Sequence, residues 1–152
     1  MRQGVFYGYT RIEENTTEKG GIAIKAPFIL AYNLSPEREK EILKLASLHK
    51  LRLQTVPKEE HGQLLSALIG LDEKQIAPEN DTFDDEMLVF CFVSGEVLNA
   101  FLSSFTRYRV ERVRLKAMLT DTNQHWNGVQ LHKELSAEDA WFKAHQAPKH
   151  EQ

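Results

Sequence analysis

The sequence predicts an α/β domain in which a four-stranded sheet is built from two strand–helix–strand units. Two short segments, Phe28–Tyr32 and Met87–Val93, are apolar at every position, as expected for central strands that are covered on both faces. Each is followed by a stretch with apolar residues at helical spacing, and then by a half-polar stretch typical of an edge strand. The two units therefore resemble versions of one pattern, which suggests a diverged internal duplication.

The first unit contains clear signals for its helix. Ser35 can cap a helix N-terminus, and Pro36 fits the first helical position. Apolar residues then recur at helical spacing through residue 50. An edge-like strand is expected to end before Pro57, and residues 58–70 are predicted to form a second helix that stops at Gly70.

The second unit has the strongest helix pattern in the chain, starting after Ser94 as a possible cap. The strand Val113–Leu119 alternates apolar and polar residues and is predicted to be half exposed. After a turn, Val129–Leu135 and Ser136–His145 are predicted to be two helices, because Ser136 begins a capping-box pattern. Trp141 is expected to pack on the body of the domain.

The remaining segments set the domain limits. Residues 71–86 carry seven carboxylates and one lysine, and we interpret them mainly as a solvated connector. We expect an N-terminal arm or hairpin over residues 1–27, a single α/β domain over 28–146, and a frayed tail over 147–152.

Two sheet topologies fit this pattern. In the order 2-1-3-4 the strands are all parallel, with helices on both faces in a three-layer sandwich. In the order 4-1-3-2 the sheet is antiparallel, as in ferredoxin-like α+β domains. Central strands that are apolar on both faces need cover on both faces, which favours the parallel three-layer sandwich.

Composition narrows the class of protein. The chain has 152 residues, 41% of them hydrophobic, which suits one globular domain. Its single cysteine, Cys91, lies in an apolar run, so no internal disulfide can form and a reducing, cytoplasmic location is expected. No run approaches the ~20 apolar residues that span a bilayer, so no membrane partner is expected. The net charge of -3 argues against a dedicated nucleic-acid binder.

No motif commits the chain to one chemistry. Cys91 is interpreted as a core residue, because a buried apolar thiol ionises poorly. His125 and His132 lack a third ligand or a zincin-type glutamate, and no glycine-rich phosphate loop is present. The sequence therefore indicates no catalytic residue, no metal and no cofactor.

Several polar residues would meet at one edge if the sheet were parallel, because the ends of strands 1, 3 and 4 would then converge. This edge is the candidate site for a small ligand or peptide. Asn123 and Trp126 have an alternative structural interpretation, in which Asn123 caps the turn after strand 4 and Trp126 covers the end of the core. The candidate ligand-binding residues are Asn33, Ser35, Ser94, Lys116, Thr120, Asn123 and Trp126.

One family is similar to this chain. A strand at Glu86–Phe90, a helix containing Leu98 and Leu102, the string Leu-Lys-Ala-Met-Leu-Thr over 115–120 and the turn Thr122-Asn123-x-x-Trp126 resemble the small bacterial family called domain of unknown function 3783. The resemblance extends to residues 28–142, including Gln63-Leu64-Leu65-x-x-Leu68-x-Gly70. It implies a bacterial, cytosolic setting and carries no activity.

The leading functional hypothesis is a non-catalytic interaction or regulatory domain that self-associates or binds an unknown protein partner. It rests on two observations. The sequence contains no catalytic set, and it has two segments of opposite charge, the acidic segment 71–86 and a basic strip. The alternatives are a small-molecule-binding or enzymatic domain with its site at the ends of strands 1, 3 and 4, and RNA binding through the basic strip. The basic strip comprises Arg107, Arg109, Arg112, Arg114 and Lys116.

Overall fold

A computed structural model describes residues 26–76 and 78–146. The arm or hairpin expected over residues 1–27, apart from Ala26 and Pro27, and the tail expected over 147–152 lie outside the described residues. The strands are β1 (Phe28–Tyr32), β2 (Arg52–Val56), β3 (Met87–Cys91) and β4 (Leu115–Met118). The helices are α1 (Pro36–Leu48), α2 (Leu65–Leu68), α3 (Gly95–Arg107) and α4 (Gly128–Gln146), with short 3-10 helices at Lys58–Glu60 and Asn123–His125.

The strand order β2-β1-β3-β4 confirms the predicted order 2-1-3-4, but the expectation that all strands are parallel was wrong. The pairs β1–β2 and β3–β4 are parallel, whereas the central pair β1–β3 is antiparallel. The physical reason lies between β2 and β3. Instead of a long crossover helix, this connection contains only one α-helical turn, α2. The strand β3 therefore begins at the end of the sheet where β1 and β2 finish, and it runs in the opposite direction to them.

The antiparallel centre places the two 13-residue helices, α1 and α3, on the same face of the sheet. Phe90 of β3 packs on Phe101 of α3, and α1 contacts α3. Tyr32 and Met87 lie opposite each other on the other face, where the ring of Tyr32 meets His61 and Phe83. Every residue of β1 and β3 is buried, as the apolar runs predict.

The two units repeat each other with a constant spacing of 59 residues. It separates Phe28 from Met87 at the start of the central strands and Pro36 from Gly95 at the start of two helices of 13 residues each. The left-handed residues that flank α1 and α3 keep the same spacing: Asn33 with Phe92, and Lys50 with Arg109. This geometry agrees with the internal repeat suggested by the sequence.

Two predicted helical boundaries were wrong. Residues 58–70 do not form one helix, because a tight contact interrupts them: a Cβ atom on Gly62 would lie 2.2 Å from the carbonyl oxygen of Glu79. Conversely, α4 is one continuous helix in which Ser136 is internal, with its hydroxyl 3.4 Å from Nε2 of His132. None of the helices in the described ranges combines the length and apolar character needed to cross a bilayer.

Candidate functional site

The candidate ligand-binding residues do not converge at one edge, because β1 runs against β3. Asn33 and Ser35 follow the end of β1, which lies beside the start of β3. Ser94 and Thr120 follow β3 and β4, which end together at the opposite edge. The strand ends that were expected to meet are therefore divided between two edges, and a ligand role for these residues stays a prediction.

Two of the candidate residues are helix caps. The hydroxyl oxygen of Ser35 accepts a hydrogen bond of 3.2 Å from the backbone N–H of Arg38, and Ser94 does the same for Val97. These side chains satisfy N–H groups that the first turn of a helix leaves without partners. Their position is therefore explained by folding.

Thr120 and Asn123 close the turn after β4 by a reciprocal pair of hydrogen bonds. The N–H of Thr120 donates to Oδ1 of Asn123 at 2.7 Å, and the N–H of Asn123 donates to Oγ1 of Thr120 at 2.8 Å. Nδ2 of Asn123 also donates to the carbonyl of Met118 at 2.9 Å. Trp126 packs partly buried against the core. This arrangement agrees with the capping interpretation of the turn.

Lys116 points away from this turn. Its Nζ donates to the backbone carbonyl of Val113, which precedes the strand, whereas Thr120 follows it. Burial, and then the charge of Arg112, lower the pKa of Lys116 below its usual value. The side chain is thus half-buried, its ammonium group lies at the beginning of β4, away from Thr120 and Asn123, and a ligand role for it stays a prediction.

The last part of the acidic segment, residues 82–86, is an ordered strap rather than a free connector. Nδ2 of Asn33 donates to the carbonyls of Phe83 at 2.8 Å and Asp85 at 3.0 Å. Arg38 binds Glu86 through two hydrogen bonds of 2.9 and 3.0 Å, and the side-chain hydrogen bond raises the pKa of Arg38. The strap is therefore held by polar side chains of the first unit.

Lys58 adds a further contact to the strap. Its Nζ donates to the carbonyl of Phe83 at 3.0 Å and also binds the carboxylate of Asp84. The hydrogen bond from Lys58 holds the pKa of Asp84 below its usual value. Because this carboxylate is exposed, water screens its charge and the pair contributes little to stability.

Beneath the strap lie two buried polar side chains, His61 and Tyr32. His61 is fully buried, and its Nδ1 is 2.6 Å from Oγ1 of Thr82. Nε2 of His61 and the hydroxyl of Tyr32 are buried without a hydrogen-bond partner among the described residues. Burial lowers the pKa of His61 and raises the pKa of Tyr32, so both groups stay neutral at pH 7.

His132 covers the outer side of the strap. Its ring stacks on Phe83 at 4.4 Å between centroids, and its Nε2 lies 2.8 Å from Oδ2 of Asp85. Ser136 approaches the same nitrogen, Nε2, at 3.4 Å. A Ser-His-Asp triad needs the serine and the carboxylate on different ring nitrogens, so this trio cannot act as one.

The acidic segment and the basic strip meet within the chain at one point. Nη2 of Arg114 lies 3.9 Å from Oδ2 of Asp85, and its Nε lies 3.3 Å from Oδ2 of Asp139. Arg114 therefore joins the strap to α4. The expected contact between opposite charges is thus partly satisfied inside one molecule, which leaves less of the strip for a partner.

A shallow cavity of about 190 Å³ lies elsewhere, between one face of β1 and β2 and the end of α2. Its volume is below the roughly 300–1,000 Å³ of typical small-molecule sites. The guanidinium of Arg52 lies 5.1 Å from the centre of the Phe28 ring at this place. The cavity is lined by Ala26, Phe28, Arg52, Gln54, Leu68 and Ile69.

The end of α4 carries two adjacent aromatic side chains that are exposed. The helix buries Gly128, Val129 and Leu131 in its first turn, whereas residues 140–146 are all exposed. Trp141 and Phe142 are each 55% exposed, which contradicts the expectation that Trp141 packs on the body. The reason is that α4 does not break at Ser136 and instead continues past the edge of the domain.

The exposed aromatic group is ordered by its own neighbours. The rings of Trp141 and Phe142 meet edge to face at 5.4 Å, and Trp141 stacks on His145 at 3.8 Å. Sequence reasoning placed Trp141 in a contact and therefore missed this surface. A signal was present: residues 137–146 have apolar side chains on more than one side of the helix, at Ala140, Trp141, Phe142 and Ala144.

Residues 86–142 match the family model described as domain of unknown function 3783. The match begins one residue before β3 and ends at Phe142, so it covers β3, α3, β4 and most of α4. The first unit lies outside it. No curated protein and no solved structure matches the chain.

Proposed function

We propose that the protein, whose residues 86–142 match the family described as domain of unknown function 3783, is a non-catalytic interaction domain that self-associates through the end of α4. The observation that carries this proposal is the exposure of two adjacent aromatic side chains, Trp141 and Phe142, on a helix that leaves the domain. The family itself assigns no activity to this segment.

Exposed aromatic side chains are a physical reason to expect a partner. Large aromatic residues contribute most of the energy at protein interfaces, because each can bury on the order of 150–250 Å². On a monomer this apolar area stays in contact with water. The two rings already hold each other and His145 in place, so little side-chain freedom remains to be lost on binding.

The size of this surface indicates a weak complex. A stable interface usually buries roughly 1,200–2,000 Å² in total, which two turns of helix do not reach alone. Association is therefore expected in the micromolar range. The outer edge of β2, with which no other described strand pairs, offers a second place where copies of the chain can meet.

The small-molecule alternative loses its geometric basis in the mixed sheet. It required the ends of β1, β3 and β4 at one edge, whereas β1 ends at the other edge. RNA binding is weakened because Arg114 binds two carboxylates and Lys116 is half-buried. The interaction proposal requires neither converging strand ends nor a basic strip that is free of other contacts.

Sedimentation velocity from ~10 to ~500 µM tests the proposal across the range expected for a weak interface. The wild-type chain should show a dimer that grows with concentration, and the variant Trp141→Ser/Phe142→Ser should stay monomeric. Leu48→Ser is the matched control, because Leu48 is equally exposed, at 56%, on α1. A wild-type monomer at every concentration, or equal loss of dimer in the control, would reject the proposal.

A further inference from the structure

The central strand pair has a symmetry that reaches beyond the family match. In the ladder Phe28 lies opposite Cys91 and Tyr32 opposite Met87. With the repeat spacing of 59 residues, Phe28 corresponds to Met87, and Tyr32 corresponds to Cys91. The pair Phe28–Cys91 therefore corresponds to the pair Met87–Tyr32. Leu30 lies opposite Val89 and maps onto it, which places a local two-fold axis at this pair.

The repeat extends from the strands to the connections after them. Leu64 forms an antiparallel bridge with Asn127, and each residue directly precedes a helix, α2 or α4. These two residues are 63 positions apart, because the second unit has four more residues between its helix and its strand. Arg52 and Leu115, which lie opposite Phe28 and Met87, show the same spacing of 63. The axis therefore relates more than one strand pair.

The segment that matches the family cannot complete a sheet alone. It contributes two parallel strands, and its β3 is buried at every residue and paired on its other side with β1. Without β1, this strand would expose a row of backbone hydrogen-bonding groups and an apolar surface. A domain of about 60 residues has little other core to offset that loss.

We infer that residues 28–70 are a second, diverged copy of the family unit, and that the β1-facing edge of β3 is a self-recognition surface whose partner is another copy of the same unit. In this chain the first unit fills that surface. The inference is independent of the role proposed for α4, since it uses a different surface.

The inference predicts which residues meet when the first unit cannot pair. If β3 of two chains pair about the same axis, Val89 lies opposite Val89 of the partner subunit, and Leu88 opposite a phenylalanine. Directly opposite residues in an antiparallel ladder have Cα atoms about 4.5–5.5 Å apart, a distance that a disulfide can span. A cysteine at position 89 should therefore bond to its own copy.

The test uses the full chain with Cys91→Ala as background and Leu30→Pro to prevent β1 from pairing. Val89→Cys should then give a covalent dimer on mild oxidation, in at least ~10-fold higher yield than the matched control Leu88→Cys, whose partner position holds no thiol. Without Leu30→Pro, the chain carrying Val89→Cys should form no disulfide-linked dimer, because Leu30 already lies opposite position 89. Equal yields at 88 and 89, as in non-specific aggregates, would overturn the inference.

A second measurement avoids the proline. Chains carrying only Leu30→Cys and chains carrying only Val89→Cys, both with Cys91→Ala, are unfolded, mixed at high concentration, refolded and oxidised. Exchange of equivalent units should produce the mixed disulfide between the two kinds of chain. Absence of the mixed species together with absence of the position-89 dimer would show that the units are not interchangeable.

Discussion

The ring of Tyr32 lies so close to Gly128 that a Cβ atom at position 128 would be 2.6 Å from Cε2 of the tyrosine. The N–H of Gly128 also donates to the carbonyl of His61 at 3.0 Å. The start of α4 is therefore pressed against the end of β1 and against the segment that carries His61. This contact fixes the helix whose far end is exposed.

Gly128→Ala should destabilise the fold by about 1–3 kcal/mol, because the added methyl group forces Tyr32 or the helix to move in a packed core. Urea unfolding measures the loss. Gly95→Ala is the control, since a Cβ atom at that helical position meets nothing within 4 Å. It should be neutral or stabilising by up to ~1 kcal/mol, and an equal loss in both variants would contradict the contact described.

Tyr32→Phe should keep or increase stability, by up to about 1–2 kcal/mol, because it removes a buried hydroxyl without a hydrogen-bond partner among the described residues. Thermal unfolding is the measurement. Tyr108→Phe provides the comparison, because Tyr108 is 54% exposed and should show little change. A marked loss in Tyr32→Phe would mean that the hydroxyl is satisfied in solution.

The unfolding free energy should fall as pH drops below about 6.5, the usual pKa of histidine. His61 has a lowered pKa in the fold because it is buried, so the unfolded chain binds the proton more readily. The contribution is complete above the unfolded pKa and is lost as pH falls through the folded one. Urea titrations between pH 7.5 and 4.5 measure this dependence. The unfolding free energy of His61→Gln should change less with pH than that of the wild type, and an equal pH dependence in the two proteins would assign the effect to other groups.

Asn33→Ala should lower stability by about 2–4 kcal/mol, because it frees two carbonyls of the strap and leaves alanine at a φ of 63°. Asn33→Gly separates these effects, since glycine accepts the backbone conformation but makes neither hydrogen bond. The exchange of strap amides with deuterium should rise in both variants. Lys50→Gly, at a φ of 60° without a tether to the strap, should leave that exchange unchanged.

The apolar runs were enough to predict the centre of the sheet and the strand order. Phe28–Tyr32 and Met87–Cys91 are buried at every residue, and Ser35 and Ser94 cap the helices as their local sequence indicates. Strand direction was not available from these signals, because an apolar strand buries the same side chains in either direction. The strand direction depends on the conformation of residues 58–70. Their apolar residues have helical spacing, but the close contact of Gly62 with Glu79 prevents one continuous helix.

The candidate site was harder to predict because it depended on strand direction. Asn33 and Asn123 were named as candidate ligand-binding residues, and in the structure their amides bind backbone carbonyls of this chain. The exposed position of Trp141 could not be inferred while Ser136 was interpreted as a new helix start. Hydrogen bonding of a serine inside a helix and capping of a helix by a serine have the same local sequence.

The strap is tied to both units: Asn33, Arg38 and Lys58 hold it from the first, and His132 and Arg114 from the second. The exposed residues 72–76 lie between α2 and this strap, outside those ties. A protease that cuts there would leave the sheet and the strap contacts intact. Cleavage at this place would thus produce two chains that migrate together until a denaturant separates them.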